Sequence, residues 1–93
     1  MHRAVETELE RVVERWRQLP LDRALSYSER VRVLVQSLAD RSAQLSGIPS
    51  AVVPDLGPAT LMDQLTVMVY DVSASSTPST LEEDLASLRR ELA

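Results

Sequence analysis

The chain has no cysteine, no lysine and no phenylalanine, and it has only two glycines and one histidine in 93 residues. Without cysteine there is no disulfide, no thiolate nucleophile and no Cys-ligated metal. The lone histidine, His2, leaves a His-based catalytic triad or a His metal site without a second member. With Gly47 and Gly57 as the only glycines, neither a dinucleotide-binding loop nor a P-loop can be written. Trp16, Tyr27 and Tyr70 are the only aromatics, too few to stack successive bases of a single strand. The longest wholly apolar run at the centre of the chain, Val67 to Tyr70, is far short of the roughly 20 residues that span a bilayer. The opening residues carry acids and lack a continuous apolar segment, so they do not read as a signal peptide. The chain is expected to start at Met1 and to be cytoplasmic, with no membrane association and no cofactor.

All ten basic residues are arginine, which points to a GC-rich coding sequence rather than to arginine chemistry. The net charge of −4 is unevenly spread, with eight Arg against seven acids through Leu45 and two Arg against seven acids after it. An acidic chain lacks the basic face that displaces counterions from phosphates, so a nucleic-acid partner is not expected.

What is present is helical periodicity. In TLMDQLTVMVYDVS, residues 60–73, the side chains of Met68, Leu61, Val72, Leu65, Val69 and Met62 fill one arc at about 100° per residue, widened by Thr66 and Tyr70. Asp63, Gln64 and Asp71 take the opposite side, with Val67 as the only apolar residue among them. This stretch predicts a central helix over 59–73, begun either by Pro58 at its first position or by Thr60 as N-cap. Asp63 and Asp71 project about 80° apart on its polar face and read as solvated acids rather than a catalytic pair.

A first helix is predicted over 3–18, because Val5, Leu9, Val12, Val13, Trp16 and Leu19 make a stripe about 120° wide. Glu6, Glu10 and Glu14 line one flank, and Arg11 and Arg15 lie towards the other. Glu8 with Arg11 and Glu14 with Arg17 are spaced for ion pairs one turn apart. Solvated decoration accounts for these charges; a sharper reading is that the split flanks orient a partner helix. Pro20 is expected to end this helix and Ser26 with Glu29 to cap the next, over 27–46. Its inner face holds Tyr27, Val31, Leu34, Val35, Leu38, Ala39 and Leu45, with Arg30, Arg32, Gln36, Asp40 and Gln44 outside, and Gly47 closes it ahead of Pro49.

From Ile48 to Ala59 the chain holds three prolines and a glycine, and Ile48, Val52, Val53 and Leu56 are expected to pack over the end of the bundle. The small polar run SASSTPS, residues 73–79, reads as exposed and mobile. A last helix over 80–92 is predicted, capped by Ser79 with Glu82 or by Thr80 with Glu83. Leu81, Leu85, Leu88 and Leu92 form a seam only about 60° wide, the pattern of a helix that wants one neighbour.

These readings add up to an all-α bundle of four helices in a single domain, of the kind met in short bacterial helical proteins. No enzymatic constellation emerges. The function expected is a protein-interaction module that self-associates as a homodimer through Val5, Leu9, Val12 and Trp16 or through Leu81, Leu85, Leu88 and Leu92. The alternative is a small regulatory or antitoxin-like subunit whose partner is a different protein or DNA.

Overall fold

The computed structural model describes residues 2–74 and 78–93, and among them there are four α-helices and no strand. Helix α1 runs Arg3–Gln18, α2 Leu21–Ser46, α3 Leu61–Ser73 and α4 Pro78–Leu92, with a single 3₁₀ turn over Pro58–Thr60 leading into α3. The all-α four-helix bundle read from periodicity is the fold.

The helix ends follow from local chemistry. His2 caps α1, its ring Nδ1 accepting the Ala4 N–H at 3.2 Å. Pro20 does not separate two elements by a loop but becomes the N-cap of α2, with its carbonyl accepting the Ala24 N–H at 2.9 Å. The expected cap at Ser26 and start at residue 27 are thus corrected by six residues. Ser26 lies inside the helix, where its hydroxyl donates to the Arg23 carbonyl at 2.7 Å and Glu29 has no cap to reciprocate. Unbroken backbone hydrogen bonding across Leu21 to Leu25 outweighs a capping box. Gly47 takes the left-handed conformation, φ 69° and ψ 26°, that closes α2, and the Ile48 N–H returns to the Ala43 carbonyl at 3.0 Å.

At the start of α3, Pro58 opens the 3₁₀ turn and Thr60 takes the N-cap position, where it makes no side-chain cap but donates to the Gly57 carbonyl at 3.0 Å. In α4, Ser79 and Thr80 lie within the helix instead of ahead of it, because Pro78 already occupies a helical position. Of the run 73–79 expected to be mobile, Ser73 ends α3 and Pro78 and Ser79 open α4, while residues 75–77 lie outside the described residues.

Two close helix pairs build the bundle, α1 against α4 and α2 against α3. One buried cluster joins them, drawing Val5, Leu9 and Val12 from α1, Val31, Leu34, Val35 and Leu38 from α2, Leu61, Leu65, Val69 and Val72 from α3, and the four leucines of α4. The radius of gyration, 12.7 Å, is that of an ordinary compact domain of this length. Polar ties cross between the helices. Glu8, buried on α1, accepts from Arg89 Nε on α4 at 2.7 Å, Arg30 on α2 meets Glu91 at 2.7 Å, and Arg41 on α2 meets Asp84 at 3.1 Å. Arg15 Nε donates to the Leu92 carbonyl at 2.8 Å, covering one of the free carbonyls at the end of α4.

Candidate interaction surface

The residues first expected to form a subunit interface are spent inside the chain. Val5, Leu9 and Val12 on α1 and Leu81, Leu85, Leu88 and Leu92 on α4 are all buried, and Trp16 packs half-buried against the same cluster. The narrow seam of α4 does find its one neighbour, and that neighbour is α1 of the same chain. Both stripes are therefore corrected from interface to core: covering them costs no second copy.

The surface that remains apolar lies elsewhere, on the segment 48–57 and the outer side of α3. The expectation that Ile48, Val52 and Leu56 pack over the bundle end is overturned, since they are 60%, 86% and 60% exposed; of that set Val53 alone is packed against the core. The reason is that polar side chains hold the segment in place. Gln36 on α2 reads its backbone as a neighbouring strand would, accepting the Val53 N–H at 2.8 Å and donating to the Ala51 carbonyl at 3.0 Å. Gln64 on α3 donates to the Pro54 carbonyl at 3.0 Å, and Arg32 on α2 meets Asp55 at 3.1 Å. Asp55 in turn accepts the Gly57 N–H at 3.0 Å, setting the turn before Pro58. With its backbone held in this way, the segment is fixed while only Val53 of its apolar side chains packs inwards.

Helix α3 continues the surface. Its predicted inner arc is buried, with Met68 half-buried at the edge, and Val67, the apolar residue on the polar side, is exposed. Tyr70, expected to widen the inner arc, instead faces outwards with 56% exposure. Leu56 and Val67 line one shallow groove with Val53 and Met68, and an adjoining groove reached by Val33 and Val52 shares Val53 and Gln64 with it. On the other flank of α3, Thr66 and Tyr70 face Val13 of α1 across a third groove. The apolar surface thus runs from α2 across the pinned segment and over α3 to α1.

Carboxylates border it. Glu6, Glu10 and Glu14 line the α1 side of the third groove, and Asp63 and Asp71 stand exposed on α3. None of these five makes an ion pair among the described residues, whereas Glu8, Glu29, Asp55, Glu83, Asp84 and Glu91 all do. Asp63 and Asp71, considered at the outset as a carboxylate pair, are exposed on the same helix with nothing to desolvate them. Among the described residues no group of three or more His, Asp or Glu could hold a metal, and no helix is long and apolar enough to cross a membrane.

Periodicity singled out Val67 alone. The loop residues were missed because their exposure depends on Gln36 and Gln64 reaching 10 to 17 positions along the chain. No family model, no curated protein and no solved structure matches the chain.

Proposed function

We propose that the chain is a non-enzymatic helical interaction module that docks a different protein through the outer side of α3 and the pinned segment 48–57. The observation that carries this reading is the exposure of Val52, Leu56, Val67 and Tyr70 together, on a backbone held rigid by hydrogen bonds from α2 and α3. Scattered exposed apolar residues need no explanation, whereas a contiguous set bordered by charge is the composition of a recognition surface. Pre-fixing the loop lowers the entropy lost on docking. Pairing two copies through this face would gather both sets of Glu6, Glu10, Glu14, Asp63 and Asp71 in one interface, which favours a partner of another sequence over a homodimer. A regulatory subunit that acts by occupying its target fits this arrangement.

The test compares the wild-type chain with the variant Leu56→Ser, Val67→Gln as bait. Both positions are exposed, so the variant should melt within a few degrees of wild type. A protein retained by wild type and lost by the variant is the expected result. Equal retention by both, or no retained protein at all, would overturn the reading.

A further inference from the structure

The carboxylates beside α3 have a spacing of their own. Glu6, Glu10 and Glu14 follow one another every four residues, about one per turn of α1, and so form an inclined row that rises about 12 Å along the helix. They line a groove together with Leu9, Val13, Arg17, Thr66 and Tyr70. The groove exists because α1 and α3 each pack mainly against another helix, α1 on α4 and α3 on α2, leaving their facing flanks apart. Arg3 and Arg17 mark the two ends of the row, and among the described residues neither pairs with a carboxylate. Other carboxylates do pair with arginines, as in Asp55 with Arg32 and Asp84 with Arg41. In the groove three carboxylates face one lining arginine, Arg17, which leaves it acidic.

We infer that the α1–α3 groove receives a basic amphipathic helix of the partner, with its apolar side on Val13, Thr66 and Tyr70 and a row of Arg or Lys, one per turn, against Glu6, Glu10 and Glu14. This rests on the interaction-module reading and adds the chemistry of the partner. The alternatives carry the wrong charge for the row. Nucleic acid and anionic lipid are repelled by it, and a second copy would bring its own carboxylates. A helix is the element that repeats its cations at the pitch of α1, and helix-in-groove docking places apolar anchors at three- and four-residue spacing beside them.

The probe is a synthetic helical peptide of about 18 residues with leucines along one side and arginines at every fourth position along the flank. Its companion carries Glu in place of each Arg. Titration calorimetry and amide chemical-shift mapping are run at about 50 mM and about 500 mM salt. The arginine peptide should shift the amides of Val13, Thr66 and Tyr70 and bind at least about tenfold more tightly than its companion. The triple variant Glu6→Gln, Glu10→Gln, Glu14→Gln should weaken it about tenfold at low salt and less at high salt. The control Asp40→Asn, Glu82→Gln, Glu83→Gln changes net charge by the same amount away from the groove and should leave affinity within about twofold.

Equal loss in both triples would reduce the effect to net charge and overturn the site. Equal binding of the two peptides would overturn the basic partner. Self-association that strengthens when the row is neutralised would make a second copy the occupant. If the Leu56 and Val67 variant loses its captured protein while the peptides do not discriminate, the interaction module stands and the basic-helix inference falls.

Discussion

Replacing Leu85 by alanine tests whether the α1–α4 seam is core or subunit interface. Leu85 is fully buried and belongs to the cluster shared by all four helices. The substitution removes three carbons, worth about 0.8 kcal/mol each in transfer from water, and leaves a cavity whose lining cannot fully collapse. The expected loss is therefore about 3 kcal/mol, within the 2–5 kcal/mol typical of buried leucines. A 93-residue domain has about 5–14 kcal/mol in all, so the variant should still fold. With a urea slope of about 1.5 kcal/mol per molar, the midpoint should fall by about 2 M with little change in slope.

The assay is urea unfolding followed by far-UV circular dichroism, repeated over a hundredfold range of protein concentration. If the leucine seam were covered by a second copy, unfolding would be coupled to dissociation. The wild-type midpoint would then rise by about 0.9 M across that range, since RT ln 100 is about 2.7 kcal/mol and the slope per dimer is about 3 kcal/mol per molar. The intrachain packing of α4 on α1 predicts a midpoint that does not move. A loss under about 1 kcal/mol for Leu85→Ala, or a midpoint that tracks concentration, would refute the placement of α4.

Three further outcomes follow from the structure. Glu8 and Arg89 are 12% and 32% exposed and 2.7 Å apart, so a double-mutant cycle of Glu8→Gln with Arg89→Gln should give a coupling of about 1 kcal/mol. The same cycle on the exposed pair Glu29 and Arg32, 3.5 Å apart, should give under about 0.5 kcal/mol; equal couplings would mean that burial is not what strengthens the first pair. Gly47 has φ 69° with open space where a Cβ would sit, so Gly47→Ala should cost about 1 kcal/mol from backbone strain alone and Gly47→Asn less, read from thermal unfolding. Gln36→Ala should speed hydrogen exchange at the Val53 amide about tenfold while leaving the α3 amides unchanged, because the loop loses two hydrogen bonds and the core loses none.

The elements that were legible in the sequence are those whose burial repeats at a helical period. The stripe over Val5, Leu9 and Val12, the α3 arc and the α4 leucines were each assigned to the correct helix, because a one-sided apolar face has no other way to leave water. What periodicity does not encode is which chain supplies the cover. A broad stripe on α1 and a narrow seam on α4 are complementary whether the 59 residues between these helices join them or none do, so an interface and a core look alike in the sequence. Non-periodic chemistry was the other blind spot. Ser26 with Glu29 carries capping groups that a continuous helix leaves unused, and Leu45, placed on the inner face of α2 by spacing, is exposed where that helix runs out beside Gly47. The candidate surface divides along the same line. Val67 was visible as an apolar residue out of place on a polar side, whereas Val52 and Leu56 looked like core until Gln36 and Gln64 were seen to hold their backbone. Had apolar packing fixed that loop, its side chains would point inwards and α3 would lie covered. Because amide hydrogen bonds fix it, the loop is ordered while Ile48, Val52 and Leu56 stay free, which is the condition a docking surface requires.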